Sequence, residues 1–203
     1  MWQKSNSMKK IWRSLSSQEL KDFEKINVGD FGLFNPTFPQ KFLIFIAQKS
    51  FLKRGQLRRV ISYLIHSIRK KPLDVYFRDC AFRLHYNRRN HIQDGLLVNP
   101  EYNFNDIEFL LDGSDPNSNF VDIGANIGLY SLPLARSTPE GKVIAIDANP
   151  LMIEQLRFNA AASKLTNLEI IFSAVSNKTG YGSLTIRNDD DAIVAINEEN
   201  NDG

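Results

Sequence analysis

The chain contains one cysteine and three histidines among its 203 residues, too few for most disulfide or zinc frameworks. Cys80 has no second thiol to pair with, and no cysteine cluster accompanies His66, His85 or His91 at zinc-ligand spacing. Disulfide-free chains are typical of reducing compartments. We therefore expect a cytoplasmic protein without a structural metal site.

The sequence also lacks a long apolar run. The longest, residues 42–47, is far shorter than the roughly 20 residues that cross a bilayer, and it lies too far from Met1 for a cleavable signal. An apolar content of 42% is that of a globular protein, and the length suits one domain with an N-terminal extension. These features predict a soluble chain with a buried core.

Acidic residues are scarce in the first third of the chain. Residues 1–71 hold 15 Lys and Arg against 4 Asp and Glu, whereas the remainder holds 10 against 19. No arginine-rich run interleaved with aromatics supports a nucleic-acid module, so we expect no nucleic-acid partner. Two alternatives remain, besides plain solvated helices: contact of this basic region with an anionic surface, or with the acidic remainder of the chain.

The basic region is helical in pattern. Residues 16–19 have the Ser-x-x-Glu form of a capping box, residues 29–39 are rich in Gly and Pro and predict a loop, and residues 41–71 predict two helices separated near Gly55. A single apolar stripe on the second helix predicts a packed face, and a membrane-surface or dimer helix is the alternative. Its members are Leu57, Val60, Ile61, Leu64, Ile65 and Ile68.

The middle of the chain links this region to a compact domain. Pro72 ends the helical pattern, residues 75–86 alternate like a strand or hairpin, residues 107–111 resemble the end of a helix, and residues 112–119 form a loop. The sequence therefore predicts three parts: a basic helical extension (1–71), a lead-in segment (72–119) and an α/β domain (120–203).

A strand, a tight turn and a helix follow in the domain. The apolar run 120–123 ends at Gly124, and a helix over 129–136 follows Gly128. Glycines in such a turn let a ligand approach the backbone, and Asn126 tolerates the left-handed conformation where a third glycine often lies. An ordinary strand-to-helix loop is the alternative. Pro133 is expected to kink the helix.

The next strand, residues 142–146, ends in Asp147, about 20 residues beyond the turn. A carboxylate at that tip can accept hydrogen bonds from both hydroxyls of a ribose, although a solvated loop acid is the alternative. Asn149 and Pro150 have the residue types of an N-cap and a first helical position, and they predict a helix over 151–162.

A third apolar run, residues 168–175, completes a β-α-β-α-β pattern and predicts a parallel sheet. Its strand tips at Gly124, Asp147 and Ser173 should converge on one edge, where ligands of open α/β sheets bind. The first strand would keep one edge open, which favours self-association. Residues 181–187 predict a further strand, followed by a solvated acidic loop at 189–191 without a metal and a polar tail at 197–203.

Residues 121–131, VDIGANIGLYS, and 143–150, VIAIDANP, resemble the FkbM family of class I methyltransferases. The resemblance implies a Rossmann-like core with an incomplete parallel sheet, preceded by the N-terminal helical region, and S-adenosyl-L-methionine as the cofactor. The cofactor residues that it implies are Asp122, Gly124, Ala125, Asn126, Gly128 and Asp147, with Ser173 and Ala174 beside the adenine.

The resemblance also implies methyl transfer to the hydroxyl oxygen of a sugar or small-molecule acceptor. Asp147 stands where the family more often has glutamate, and the family continues through strands that are absent here, so no catalytic residue is assigned and loss of activity is expected. A non-catalytic interaction module is the second hypothesis. An NAD-dependent oxidoreductase is the third, although the turn lacks the Gly-x-Gly-x-x-Gly fingerprint.

Overall fold

The computed structural model describes residues 12–13, 29–85, 90–177, 179–180, 182–187 and 190–198. The predicted helix start at 16–19 lies outside these residues, and so do Asp189 and the end of the polar tail. Within the described part, no helix is both long and apolar enough to cross a membrane.

Eight strands and six α-helices make up the described part of the chain. In order they are β1 (Trp12–Arg13), α1 (Phe38–Lys49), a 3-10 turn (Phe51–Lys53), α2 (Gly55–Ser67), β2 (Leu73–Phe77), β3 (Cys80–Leu84), α3 (His91–Val98), α4 (Phe104–Asp112), β4 (Phe120–Ile123), α5 (Ser131–Ser137), β5 (Val143–Asp147), α6 (Pro150–Ala162), β6 (Leu168–Phe172), β7 (Gly182–Arg187) and β8 (Asp190–Glu198).

A parallel sheet forms the centre of the α/β domain, as predicted. Its strand order is β4-β5-β6, and Phe120, Val143 and Leu168 lie side by side at its start. The helices α5 and α6 connect the three strands in turn. The predicted fold class, an incomplete Rossmann-like sheet preceded by helices, is therefore confirmed.

The two faces of this sheet differ in how they are covered. On one face Val143 packs against Leu134 and Ala135 of α5, and Ala145 belongs to the main core. On the other face Val121 and Ile123 remain 61% and 62% exposed. Among the described strands β4 pairs only with β5, so the open edge predicted for this strand is confirmed.

The lead-in segment is a β-hairpin joined to α6. Strands β2 and β3 pair antiparallel, with left-handed residues Arg78 and Asp79 at the turn, as a two-residue hairpin requires. Three polar side chains, two on α6 and one at its C-cap, follow one another at four-residue spacing and bond the backbone of β3. Ser163 Oγ accepts from Ala81 N (2.8 Å), Asn159 Oδ1 accepts from Arg83 N (2.9 Å), and Gln155 Nε2 donates to Arg83 O (2.5 Å). The hairpin therefore shares one core with the domain.

A fully buried ion pair crosses the hairpin. Arg83 donates through Nε to Asp74 Oδ1 (2.7 Å) and through Nη2 to Asp74 Oδ2 (3.0 Å), and both side chains are 0% exposed. The guanidinium also lies over the ring of Phe158, at 4.0 Å from its centroid. Asp74 Oδ2 accepts the N–H groups of Gly32 and Phe34 as well, so the pair anchors the loop before α1 to the hairpin.

The packed-face prediction for α2 is wrong for four of the six stripe residues. Ile61 and Ile65 are buried, but the other four are between 43% and 55% exposed. The buried side of α2 is rotated toward Ser62 and His66, which are 1% and 5% exposed. The exposed members are Leu57, Val60, Leu64 and Ile68.

Two local predictions also change. Pro133 is the third residue of α5 and lies in its first turn. The N–H groups of a first turn have no partner within the helix, so proline there removes no helical hydrogen bond and the expected kink has no cause. Residues Asp190 and Asp191 belong to β8 rather than to a solvated loop, because β7 and β8 form an antiparallel ladder. The same strand extends to Glu198, into the predicted polar tail.

The burial of His66 predicts that the folded protein loses stability in mild acid. This burial lowers the pKa of His66 to about 4, partly opposed by a hydrogen bond that His66 donates to the backbone of Lys71, while the unfolded chain protonates His66 near 6.5. As pH falls from about 7 to about 4, the unfolded chain gains a proton that the folded chain does not. The free energy of unfolding should therefore fall by roughly 3 kcal/mol through this group.

The measurement is urea unfolding at several pH values for the wild type, His66→Gln and the control His91→Gln. The acid slope should flatten in His66→Gln alone. Because carboxyl titrations are common to all three proteins, equal slopes in the wild type and His66→Gln would show that His66 is not responsible.

Candidate functional site

The tips of the three parallel strands meet at one edge, as predicted. Gly124 N and Ala125 N both donate to Ile146 O, at 2.8 and 3.0 Å, and Ser173 N donates to Asp147 O at 3.1 Å. These bonds extend the strand ladders beyond β4 and β6 and fix the residues that follow. Open α/β sheets bind ligands at this edge.

The turn after β4 contains three left-handed residues, one at every second position. The φ angles of Gly124, Asn126 and Gly128 are 80°, 51° and 96°. Asn126 thus adopts the conformation predicted for it, and its Oδ1 accepts the N–H of Ile127 at 3.0 Å. The resulting backbone reversal leads the chain from the end of β4 into α5.

The two glycines of the turn have different surroundings. A Cβ at Gly124 would meet no atom within 4 Å, so open space lies over the backbone there. A Cβ at Gly128 would lie 2.1 Å from Leu132 Cδ1 and 2.6 Å from Leu156 Cδ1. Only Gly124 therefore has room for a ligand over its backbone, and the structure gives Gly128 a packing reason that the sequence did not show.

Asp147 links the second motif to the first. It is 7% exposed; its Oδ2 accepts the N–H of Asn126 at 2.8 Å and its Oδ1 accepts the N–H of Asn149 at 2.7 Å. Burial raises the pKa of this carboxyl, and these backbone hydrogen bonds oppose the rise. The backbone of Ala148 contributes a further hydrogen bond to this carboxylate, which leaves at least one of its roughly four lone-pair sites for another donor.

A second carboxylate, Asp122, lies one residue before the end of β4. Its Oδ2 accepts the hydroxyl of Ser131, the first residue of α5. Burial raises the pKa of Asp122, the Ser131 hydrogen bond opposes this, and the charge of Asp147 adds to the rise. No Lys or Arg in the described part of the chain forms an ion pair with either carboxylate.

The remaining predicted site residues lie at the same edge. Ala125 is buried behind the turn, at 3% exposure, whereas Ser173 and Ala174 are exposed. Ser173 Oγ donates to Ala174 O at 3.1 Å. The structure thus brings all eight predicted residues to one edge of the sheet, and the contact of Ser173 and Ala174 with an adenine ring stays a prediction.

Asn90 supports the turn from the lead-in segment, a contact that no sequence pattern indicated. It is 1% exposed and caps α3 through Oδ1, which accepts the N–H of Ile92 at 2.9 Å. Its Nδ2 donates to Asn126 Oδ1 at 3.2 Å. A polar residue before an apolar helix signals an N-cap, but the contact with the turn depends on tertiary packing.

A polar cluster beside the turn was also missed. The hydroxyl of Tyr130 accepts from Asn103 Nδ2 at 2.7 Å and donates to Asp106 Oδ2 at 3.2 Å. Burial raises the pKa of Tyr130, the Asn103 hydrogen bond opposes this, and the charge of Asp106 adds to it. A cavity of about 480 Å³ lies next to the cluster, lined by Glu101, Asn103, Phe104, Asn105 and Asp106.

Metal binding has no support at this edge or elsewhere in the described part of the chain. No group of three or more His, Cys, Asp or Glu side chains is gathered there in an arrangement that could hold an ion. Cys80 is buried and its thiol is free.

No protein-family profile matches the chain, but two curated proteins are similar to parts of it. One is the probable ribosomal RNA small subunit methyltransferase A of Methanosphaera stadtmanae, 38% identical over 69 residues, or 33% of this chain and 25% of that protein. The other is the 23S rRNA (uracil(1939)-C(5))-methyltransferase RlmD of Shewanella sediminis, 32% identical over 94 residues, or 46% and 20%. The chain thus spans about a quarter and a fifth of these relatives.

Solved structures with partial similarity include two archaeal proteins. TYW2 of M. jannaschii in complex with AdoMet has a TM-score of 0.40 and 24% identity, with 50% of this chain and 43% of that protein covered. A putative transferase of Pyrococcus horikoshii has a TM-score of 0.44 and 16% identity, with 66% and 63% covered.

Proposed function

We propose that the chain contains the cofactor-binding part of an S-adenosylmethionine-dependent methyltransferase, with the cofactor at the edge where β4, β5 and β6 end. The observation that carries this proposal is the turn after β4, whose left-handed Gly124 leaves open space while Asp147 holds Asn126 in place. Support also comes from the two curated relatives, since both are named as methyltransferases.

The charges of the edge suit this cofactor. When bound, S-adenosylmethionine supplies a methyl group on a positively charged sulfur, which an acceptor atom can attack in line. Asp122 and Asp147 place two carboxyl groups beside the turn. Burial raises the pKa of both, and a bound cation would oppose that rise by favouring their charged forms. The remaining acceptor capacity of Asp147 would serve a ribose hydroxyl, and Ser173 and Ala174, at the exposed tip of β6, would border the adenine.

A dinucleotide is the less suitable ligand for the same edge. Its pyrophosphate needs backbone N–H groups in a Gly-x-Gly-x-x-Gly turn without nearby negative charge. Here Asn126 replaces the middle glycine, and its N–H is already bonded to Asp147. The oxidoreductase hypothesis therefore loses the group that would hold its cofactor.

Two similarities, to the FkbM family and to the curated relatives, suggest different methyl acceptors. The FkbM resemblance favours the hydroxyl oxygen of a sugar or small molecule, deprotonated by a general base as the new O–C bond forms. The names of the two curated relatives instead concern ribosomal RNA, so the exclusion of a nucleic-acid partner made from the sequence has no support. We retain the hydroxyl acceptor as the first candidate and RNA as the second.

Calorimetric titration with S-adenosylhomocysteine tests the cofactor site. The wild type should bind saturably and should not bind NAD. Asp147→Ala should weaken binding at least about tenfold, because charge-assisted hydrogen bonds to the ribose are lost, each of roughly 1.5–3 kcal/mol. Asp147→Asn keeps one acceptor oxygen, so it retains one of the two backbone hydrogen bonds, from Asn126 or from Asn149; it should be less stable than the wild type but still fold, and should bind with intermediate affinity.

The matched control is Asp115→Ala, in the exposed loop before β4, which should bind like the wild type. Circular dichroism establishes that each variant is folded. A folded wild type that fails to bind S-adenosylhomocysteine, or that prefers NAD, would contradict the proposal.

A further inference from the structure

The solvent face of α1 carries three phenylalanines in one stripe. Phe38, Phe42 and Phe45 lie at positions i, i+4 and i+7, which share one side of a helix, and they are 83%, 56% and 59% exposed. The helix packs through its opposite side, where Gln40 and Ala47 are buried. Phenylalanine has no polar group that water could solvate, so this stripe has no role in the fold as described.

The apolar surface continues beyond α1. Phe45 and Tyr76 of β2 line a shared groove of about 330 Å³, and Tyr76 is itself 73% exposed. The ring of Tyr76 meets the ring of Phe31 edge-on, with centroids 5.1 Å apart. Contiguous exposed apolar surface of this kind marks an interaction site more often than scattered single residues do.

Positive charge surrounds this surface. Residues 31–73 contain nine Lys and Arg and no Asp or Glu. Lys53 pairs with Glu101 (3.4 Å) and Arg59 with Asp94 (4.0 Å), whereas Lys41 and Lys49 on α1 form no ion pair with any described residue. Lys41 lies three residues after Phe38, and Lys49 lies four after Phe45, so both flank the stripe.

We propose that α1 and the adjoining groove dock on the surface of an anionic lipid bilayer. The phenylalanines would enter the boundary between headgroups and acyl chains, while the lysines contact lipid phosphates. Nucleic acid fits less well. Exposed aromatic side chains such as Phe38, Phe42 and Tyr63 could stack on bases, but the exposed aliphatic side chains of α2, Leu57, Val60 and Leu64, have no base-stacking role and are stabilised only by burial in an apolar medium. A second copy fits less well too, because two such basic faces repel.

Vesicle flotation with the full chain tests this proposal. The wild type should float with phosphatidylcholine vesicles that contain phosphatidylglycerol, and much less with pure phosphatidylcholine. The triple variant F38Q, F42Q, F45Q should bind at least about tenfold more weakly, because it lacks the three aromatic side chains that would be buried in the bilayer. The matched control is Phe109→Gln, which replaces a 78% exposed phenylalanine on α4 and should bind normally.

Two further measurements distinguish a lipid bilayer from the other candidate partners of this surface. The variant K41E, K49E should lose binding to the anionic vesicles, and added salt should weaken the wild type. In a background without the two native tryptophans (W2F, W12F), the fluorescence of Phe42→Trp should be quenched by brominated lipid, and that of Phe109→Trp should not. Binding of S-adenosylhomocysteine is followed in parallel as a separate readout of the cofactor edge, and circular dichroism establishes folding.

A folded wild type that does not bind anionic vesicles would overturn the proposal. So would equal binding by the triple phenylalanine variant, or equal binding to neutral and anionic vesicles. Binding to a single-stranded oligonucleotide through Lys41 and Lys49, without binding to vesicles, would assign the surface to nucleic acid instead.

Discussion

Replacing Arg83 by methionine is expected to lower the free energy of unfolding by about 3–5 kcal/mol, because Asp74 would stay buried without its counter-charge. Both side chains are 0% exposed, and the guanidinium is bonded to both carboxylate oxygens of Asp74. Methionine fills the space over Phe158 but cannot donate a hydrogen bond. The measurement is urea unfolding at pH 7, followed by circular dichroism.

The matched control is Arg157→Met on α6. Arg157 pairs with Glu154, but both side chains are about half exposed, so the loss should be between 0 and about 1 kcal/mol. The double variant D74N, R83M should recover much of the stability, since asparagine is neutral and still accepts the N–H groups of Gly32 and Phe34. A loss of less than about 1 kcal/mol in Arg83→Met would show that water reaches the pair.

The sequence predicted a strand or hairpin in this segment but not this pair. Alternating side chains predict a strand, and two charged residues in such a pattern are normally assigned to the solvent face. In the structure Asp74 and Arg83 lie directly opposite each other across β2 and β3, on the side that the loop before α1 covers. Which face of a hairpin becomes buried depends on its neighbours, and no local pattern contains that information.

The parallel sheet was predictable because its signals are local. Asn149 caps α6 by accepting the N–H of Leu151, with Pro150 at the first helical position, as its residue types indicate. The left-handed Asn126 also follows from its side-chain type. These features depend on residues within a few positions of one another, so a sequence pattern contains them.

The contacts between segments were not predictable. Gln155, Asn159 and Ser163 are polar residues at helical spacing, a pattern that normally indicates a solvated face. In the structure they bond the backbone of β3 and are buried. The interpretation of the α2 stripe failed for the same reason: periodicity identifies an apolar face but does not say which part of it a neighbour covers.

Replacing Gly128 and Gly124 by alanine is expected to separate stability from cofactor binding. Gly128→Ala should lower the free energy of unfolding by about 2–4 kcal/mol, because its Cβ collides with Leu132 and Leu156 and its φ of 96° strains an L-residue. Gly124→Ala meets no atom, so only the strain of its φ of 80° remains, about 1–2 kcal/mol.

For the affinity toward S-adenosylhomocysteine, in contrast, we expect Gly124→Ala to have the larger effect of the two substitutions. The methyl group of Gly124→Ala projects into the open space over the turn, where the cofactor is proposed to lie, so calorimetry should show binding weakened at least about tenfold although the variant folds. The control Gly180→Ala, at an open position without positive φ, should change neither property. Normal binding by a folded Gly124→Ala variant would mean that the cofactor does not approach this backbone, whatever the stability of Gly128→Ala.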